Sequence, residues 1–504
     1  MTASVSSSSR GAWMALIAAL LGWLFDGAEM GLFSLVGNAA VKNLLEGTGR
    51  EGQAGAWFGT IIATFLVGAA TGGVVFGWLG DRIGRVRAMS LSVLVYALFT
   101  GFCGFAQNVE QLAGLRFIAS LGMGGEWSLG VALVMEVWPN RSRAFMAGLI
   151  GAAANVGYLL IAVVGMGLDA LLETSIPEIL SSIGLSAEDV GRLTAHKGWR
   201  LMMMIGTTPA LLTFLFRIFV PESEKWEEEH RKGVTSNWMT ADLWGVLFGL
   251  AGPAAIIAVW AYDWPWLPLW GRIAVTLAGL GIAIAGYTYP VIQFMKRCAA
   301  SGQAGAGDLK TTVNRMLLGA CLSGVALLGT WASMQWAAKW AGEMTKNEFL
   351  SREWTQFWLS VGAIVGTILA ALAGDWLGRR VTFFLLCLLS LASAEILYAF
   401  NSSYNAMFLF CCFLAGGCTA SFYGWLPLYL PELFPTRLRA TGQGFSFNFG
   451  RILAAVGSLQ AGVLQDQVFG GQFPKAGMVM SLIYLVGLVV IWFAPETKGQ
   501  PLPD

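Results

Sequence analysis

Charged residues are scarce in this chain of 504 residues: Asp, Glu, Lys and Arg make up 12% of it, against about 25% in an average soluble domain. The net charge of +1 suggests no nucleic-acid partner. The two histidines, His196 and His230, lie outside the apolar runs and offer no metal cluster. The seven cysteines fall mostly within apolar runs, where they are more typical of small hydrophobic residues than of disulfides or metal ligands. We therefore expect no metal and no cofactor.

Apolar sequence is abundant instead, with 56% hydrophobic residues and 22 tryptophans. A membrane-spanning helix needs about 20 consecutive apolar residues. Fourteen such runs occur, which predicts an all-α polytopic membrane protein. They begin near Trp13, Trp57, Ala88, Leu112, Phe145, Trp199, Leu243, Leu267, Val313, Gln356, Phe383, Ala406, Gly442 and Gly477. The first run is too long for the core of a signal peptide, so we interpret it as a retained span.

Lysine and arginine predict the orientation of these spans. With the N-terminus in the cytoplasm, eighteen of these residues fall on the inside and eight on the outside. This bias obeys the positive-inside rule. An odd number of spans would scramble it, so the sequence predicts an even number with both termini cytoplasmic.

The sequence also repeats itself. The motif "GWLGDRIGR" returns as "ALAGDWLGRR", which relates Asp81 to Asp375 at an offset of 294, and "EVWPNRSRA" returns as "ELFPTRLRA", which relates Glu136 to Glu432 at an offset of 296. "PES" is echoed by "PET". Two matches at nearly equal offsets indicate two parallel six-span halves. The predicted organisation is a disordered tail 1–10, a first half 11–221, a segment 222–311 with two extra spans, a second half 312–497 and a tail 498–504.

These motifs resemble the major facilitator superfamily over nearly the whole chain. "GWLGDRIGR" resembles the family's cytoplasmic loop after the second span, "RFIASLGMGG" its fourth-span motif, and "PESEKW" and "PETKG" the ends of each half in sugar- and metabolite-type members. "DGAE", "GMGGEWSLG", "WPNRSRA" and "VPESEKWEEEH" resemble bacterial metabolite:proton symporters. The two extra spans are similar to those of the sialate:proton symporters, whereas "YDWPWLPLW" departs from the pattern. The resemblance implies alternating access, a bacterial inner membrane and a functional monomer.

The resemblance also implies that charged residues in the inside loops lock the two halves together when the transporter is open to the outside. Pairs of charges at a rim can form in one state and separate into water in the other, and several together bias a conformational equilibrium. An alternative is that they only fix topology. The candidate gating residues are Gly77, Asp81, Arg82, Gly84, Arg85, Glu136, Arg141, Arg143, Asp375, Arg379, Arg380, Glu432, Arg437 and Arg439.

Four charged residues are predicted to lie at membrane depth. Asp26 and Glu29 in the first span are three positions apart and share a helix face, while Arg116 and Glu126 lie in the fourth span. Burial tends to protonate a carboxylate and a nearby arginine opposes this, so such a pair suits proton coupling. We expect Arg116 to be the partner of Asp26, and Glu29 to see water nearer the outside. The alternative is a static ion pair between spans one and four.

A substrate site is expected near the midplane between the halves. Arg451, deep in a second-half span, would bind a carboxylate bidentately or would instead pair with an acid of its own half, such as Glu395. The tryptophans would stack on a sugar ring or serve as lipid-facing anchors. The candidate binding residues are Asn155, Tyr158, Trp331, Gln335, Trp336, Tyr423, Asn448 and Arg451.

The outside segment 169–199 is too polar to span the membrane. It carries helix-start signals at Pro177 and Ser186, and it would either cap an outer vestibule or form a surface helical hairpin.

The function that fits these features is proton-driven uptake of a small organic acid, for example a sialate-like sugar acid, by a protein embedded in the lipid bilayer. The alternatives are a carrier of neutral sugars, an efflux antiporter, or a sensor that kept the fold. A membrane enzyme is disfavoured because we find no nucleophile–base pairing or phosphate-binding loop at membrane depth.

Overall fold

The computed structural model describes residues 4–138, 140–208, 211, 214, 220–262, 264–301, 308–346, 348–463 and 468–503. Within these ranges the chain is helical and contains no strand. The helices of the first half are α1 (Ser4–Leu45), α2 (Ala54–Ile83), α3 (Arg85–Cys103), α4 (Val109–Val137), α5 (Asn140–Glu173), α6 (Ser175–Ser182) and α7 (Ala187–Gly206).

The segment between the halves contributes a short helix and two long ones: α8 (Glu224–Arg231), α9 (Leu243–Ala261) and α10 (Leu269–Ala300). The helices of the second half are α11 (Leu309–Ala332), α12 (Ala337–Met344), α13 (Ser351–Leu377), α14 (Arg379–Phe400), α15 (Ala406–Ala420), α16 (Phe422–Tyr429), α17 (Arg439–Val463), α18 (Phe473–Ser481) and α19 (Ile483–Val490).

Twelve helical segments in the described residues are long and apolar enough to cross a membrane, which confirms the prediction of an all-α integral membrane protein. The apolar runs predicted as spans near Trp199 and Gly442 begin within α7 and α17, which end at Gly206 and Val463 and are not among these twelve. α1 starts at Ser4, inside the predicted disordered tail, because extending a formed helix adds one hydrogen bond for each residue fixed.

The internal repeat is visible in local chemistry as well as in motifs. Asn108 caps α4 by accepting a hydrogen bond from the backbone N–H of Gln111, and Asn405 caps α15 in the same way through Phe408. The halves also pack reciprocally: α5 of the first half packs on α13 of the second, and α17 of the second packs on α2 of the first. The core between the halves is therefore formed by equivalent helices.

The echo of "PES" in "PET" has a structural cause. The carboxylate of Glu222 accepts hydrogen bonds from the backbone N–H groups at the start of α3, and Glu496 does the same at the start of α14. Gly84 and Gly378 precede these helices with φ of 113° and 100°, where a side chain would be strained and would crowd the capping carboxylate. The glutamate at the end of each half thus caps the helix that follows the repeated loop motif of the same half.

The carboxylate cap predicts a pH-dependent loss of stability. Desolvation works to raise the pKa of Glu496, but the backbone N–H groups of Arg379 and Arg380 outweigh it and hold the pKa below its ordinary value of 4.5. A lowered folded-state pKa stabilises the fold above the ordinary value, and this contribution is lost as the pH falls. Glu496→Ala is expected to cost about 0.5–2 kcal/mol at pH 7, measured as a lower melting temperature in detergent.

The matched variant Glu496→Gln removes the charge and keeps the size of the side chain. Its melting temperature should lie below that of the wild type at pH 7 and approach it as the pH falls below 4.5. A difference that stayed constant over this range would contradict a role for the ionised carboxylate.

The two predicted extra spans correspond to a helical hairpin, α9–α10, that packs against α2 and α17. The hydroxyl groups of Tyr287 and Thr71 are 2.7 Å apart, which ties α10 to α2 in the buried interior. Arg297 binds the carboxylate of Asp242 through both terminal nitrogens, and thereby fixes the entrance to α9.

The polar segment 169–199 comprises the end of α5, helix α6 and the first part of α7. Ser186 caps α7 by accepting a hydrogen bond of 3.1 Å from the backbone N–H of Asp189, which confirms the predicted helix start at that residue. α6 begins at Ser175, two residues before Pro177, so the proline lies in the first turn as its missing N–H permits.

Candidate functional site: a charged lock and a central cavity

A buried network of charges lies on the face of the bundle that carries Asp81, Glu136 and Glu222, here named the motif face. Arg85 donates to Asp81 at 2.8 Å and to Glu136 at 3.2 Å, and all three side chains are fully buried. Ser223 donates to the other oxygen of Glu136 at 2.5 Å. Buried charges of this kind persist only when they are paired and hydrogen-bonded.

The same network joins the first half to the second. Arg439 donates to Glu136 at 2.8 Å, and the backbone N–H and hydroxyl of Thr441 donate to Asp81 at 2.8 and 2.6 Å. Both residues belong to α17. A Cβ at Gly77 would lie 2.7 Å from the carbonyl oxygen of Ala440, so the glycine permits this close approach. We name Asp81, Arg85, Glu136, Arg439 and Thr441 the inter-half lock.

The repeat-related cluster in the second half is built differently. Arg379 donates to both oxygens of Glu432 at 2.9 and 2.7 Å, and Arg143 of the first half attracts Glu432 electrostatically. Asp375, the counterpart of Asp81, is 55% exposed and lies 3.7 Å from Arg379. The sequence repeat predicts equivalent roles for the two aspartates, whereas the structure gives only Asp81 a buried position and a partner on the opposite half.

The remaining candidate gating residues surround the lock. Arg82 donates to the hydroxyl of Thr240 at 2.6 Å, and Arg437 lies 3.9 Å from Glu229 of α8. Arg380 donates to the backbone carbonyl of Ala494 at 2.5 Å. The segment between the halves therefore contacts both halves on the motif face. The side chain of Arg141 lies outside the described part.

A cavity lies between the halves, with about 1120 Å³ of space free of protein atoms. Most of its lining is apolar or aromatic. Five of the predicted binding residues line it: Asn155, Tyr158, Trp331, Tyr423 and Arg451. A second cavity opens beside it and shares Tyr158, Trp331 and Gln356 with it.

The second cavity, here named the vestibule, is lined by Lys197, Lys339 and Arg352 together with one acid, Glu353. Trp336, predicted as a binding residue, lines this vestibule and not the central cavity. Cations on a concave wall raise the local concentration of anions. The central cavity therefore has a cationic vestibule beside it, separated from it by the side chains that both share.

Arg451 and Asp26 form the charged part of the central cavity. Both side chains are buried, at 7% and 5% exposure, and Asp26 attracts Arg451 electrostatically from the other half. The alternative acid in the second half, Glu395, instead accepts a hydrogen bond of 2.7 Å from Ser481. The electrostatic attraction on Arg451 thus comes from an acid across the interface between the halves.

The expected pairing of Asp26 with Arg116 is wrong. Arg116 of α4 donates to Glu29, and both side chains are almost fully buried. Its guanidinium also lies 4.2 Å and 4.4 Å from the ring centres of Phe33 and Phe65. Glu29 is 2% exposed, so the expectation that it sees water is wrong too. Asp26 and Glu29 are one turn apart in α1, yet Glu29 pairs with Arg116 whereas Asp26 lines the central cavity.

Three further candidates fall elsewhere. Asn448 is fully buried and donates to the backbone carbonyl of Gly124 at 3.2 Å, so it joins α17 to α4 and does not line the cavity. Glu126 is buried in α4 near Tyr96 and is likewise absent from the lining. The side chain of Gln335 lies outside the described part.

Two aromatic residues that line the central cavity, Trp127 and Phe447, were not predicted from the sequence. The rings of Trp127 and Phe447 stack at 3.6 Å with an angle of 7° between their planes, one from each half. Trp127 follows Glu126 within "GMGGEWSLG", so the motif carried a signal for it. No sequence motif marks Phe447 as a cavity residue, because an aromatic residue in an apolar span is most often a packing residue.

Comparisons with known proteins place this architecture in context. The profile described as "Sugar (and other) transporter" matches residues 13–246 and 401–504. The cis,cis-muconate transport protein of Acinetobacter baylyi is 24% identical over 491 residues, which cover 97% of this chain and 95% of that protein. The sialic acid transporter NanX of Escherichia coli is 22% identical over 486 residues, which cover 96% and 94%.

Among solved structures, the major facilitator proton:xylose symporter XylE bound to 6-bromo-6-deoxy-D-glucose superposes with a TM-score of 0.67 and 17% sequence identity. The superposition covers 98% of each chain. At this identity the likeness confirms the fold of two six-span halves.

Proposed function

This chain belongs to the sugar (and other) transporter family of the major facilitator superfamily, and on that premise we propose that it is a proton-coupled symporter that takes up a small organic anion. Membership of the family makes it an integral membrane transporter of small molecules and not an enzyme. The coupling ion, the direction of transport and the substrate class are the parts we propose. No cofactor other than the proton is required.

The observation that carries this proposal is the pair of Asp26 and Arg451 in the wall of the central cavity. An ionised Asp26 competes with a substrate carboxylate for the guanidinium of Arg451. Protonation of Asp26 ends this competition and leaves Arg451 to bind the substrate. Proton and anion then bind together, and loss of the proton favours release of the anion.

Alternating access follows from the inter-half lock. The positive-inside rule assigns the motif face to the cytoplasm, in a bacterial inner membrane with both termini inside. The lock closes that face in this conformation, while the vestibule lies beside the cavity on the other side. Inward release requires Asp81 to part from Thr441 and Glu136 from Arg439. We propose that one monomer carries out this cycle.

The relatives support an anionic substrate, because muconate and sialic acid both carry carboxylates. The three vestibule cations would steer such an anion toward Arg451.

The test uses the purified chain in liposomes that contain a pH-sensitive dye. Radiolabelled cis,cis-muconate and sialic acid are added outside at pH 6, with the interior at pH 7.5, and xylose serves as the neutral control. We expect at least one acid to enter with acidification of the interior beyond that of protein-free liposomes. Uptake of xylose alone, or of an acid without acidification, would contradict the proposal.

A further inference from the structure

The polar side chains along the central cavity are largely engaged by their own helices. Asn155, Thr330 and Thr419 each donate to the backbone carbonyl four residues earlier, at 2.9, 2.9 and 2.7 Å. The amide of Gln356 donates to the hydroxyl of Ser360 at 3.2 Å. The hydroxyl protons of both threonines and one amide proton of each of Asn155 and Gln356 are therefore already engaged, which leaves fewer donors for the hydroxyl groups of a sugar.

Arg451 is the cation among the residues that line this cavity. It is 7% exposed, and its Nη1 atom makes no hydrogen bond within the part of the chain that is described. Its guanidinium carbon lies 5.5 Å from the ring centre of Phe447. The cavity therefore offers one strong anchor for an anion, set at the edge of an aromatic surface.

The rest of the wall consists of flat rings. Phe447 stacks on Trp127 at 3.6 Å and meets Tyr423 edge-on at 6.4 Å. Trp23 and Trp331 complete the aromatic part of the lining. Aromatic faces stack on planar ligands, whereas a bound hydroxyl group without a partner loses its hydration and gains nothing in return.

We infer that this cavity selects carboxylates with a flat, apolar body, such as aromatic or conjugated acids, over polyhydroxylated sugar acids. The inference deepens the proposed function and rests on it, since it concerns the same cavity and the same anchor. The carboxylate binds Arg451, and the planar body lies against the aromatic rings. The expectation of a sialate-like sugar acid is thereby replaced by a narrower substrate class.

Binding to the full chain in detergent tests this directly, because it requires neither a pH gradient nor transport. Benzoate, cyclohexanecarboxylate and glucuronate each carry one carboxylate on a six-membered ring, so they separate planarity from hydroxylation. By calorimetry we expect benzoate to bind at least tenfold more tightly than glucuronate, about 1.4 kcal/mol, with cyclohexanecarboxylate between them. Equal or tighter binding of glucuronate would overturn the inference and leave the proposed anion transport standing.

Two variants locate the effect. Arg451→Gln should lose binding of all three acids, while Phe447→Leu should lower the affinity for benzoate about tenfold and reduce the ratio of benzoate to glucuronate affinity. A monodisperse profile and an unchanged melting temperature without ligand show that each variant is folded. If xylose bound and none of the acids did, the proposed function would fail together with the inference. If sialic acid bound and benzoate did not, only the inference would fail.

Discussion

Replacing Asp26 by Asn is expected to abolish proton-driven accumulation of substrate while counterflow exchange continues. Asparagine resembles the protonated acid, so it leaves Arg451 available to the substrate, but it cannot release a proton on the inside. Exchange of labelled for unlabelled substrate needs no change of protonation, whereas accumulation does. The measurement compares accumulation driven by a pH gradient with counterflow at equal pH, using whichever acid the liposome assay identifies.

Glu29→Gln provides the contrast, because it lies one turn away on the same helix. The sequence predicts a mild effect for this variant. The structure predicts a severe one, since it leaves the Arg116 guanidinium buried without its anion, and breaking a buried pair costs about 3–5 kcal/mol. Glu29→Gln should therefore lose accumulation and exchange together, with a lower melting temperature. Accumulation retained in Asp26→Asn would contradict the role of Asp26 in coupling.

The spans, the repeat and the extra hairpin were predictable because each rests on a pattern along one chain. Apolar length predicts a span, and equal offsets predict equivalent halves. The motif acids and arginines were also predictable as a group, and Asp81, Arg85, Glu136 and Arg439 indeed meet in one cluster. What these signals share is that they do not depend on how one helix is rotated against its neighbours.

The wrong predictions for Asp26 and Glu29 concern the rotation of α1 against its neighbouring helices, which the sequence does not give. A Cβ at Gly27 would collide with the backbone of Ala154, and one at Gly157 with the backbone of Leu24, so these glycines set how closely α1 meets α5. This contact directs Asp26 toward the cavity and Glu29 toward α4. Helical spacing places the two acids on one face, but the neighbour that each one meets depends on the packing of three helices.

The two motif aspartates give the sharpest comparison, because the sequence repeat treats them as equals. Asp81→Asn weakens a buried acceptor that binds Arg85 and both donors of Thr441. We expect a loss of stability comparable to that of breaking a buried ion pair, about 3–5 kcal/mol. Asp375→Asn removes an exposed charge, and exposed pairs contribute about 0–1 kcal/mol. The same substitution at equivalent positions should therefore have very different effects.

Hydrogen–deuterium exchange measures this difference where it arises. In Asp81→Asn the backbone amides at the start of α17 lose their charged acceptor and keep at most one neutral oxygen. A shift of about 3 kcal/mol corresponds to exchange that is faster by more than a hundredfold. In Asp375→Asn the same peptide should exchange as in the wild type. Equal acceleration in both variants would mean that the halves are held by both clusters alike. An effect confined to Asp81→Asn places the closing of the motif face on the first half's acid and the second half's α17, because Asp81 is buried against that helix whereas Asp375 is exposed.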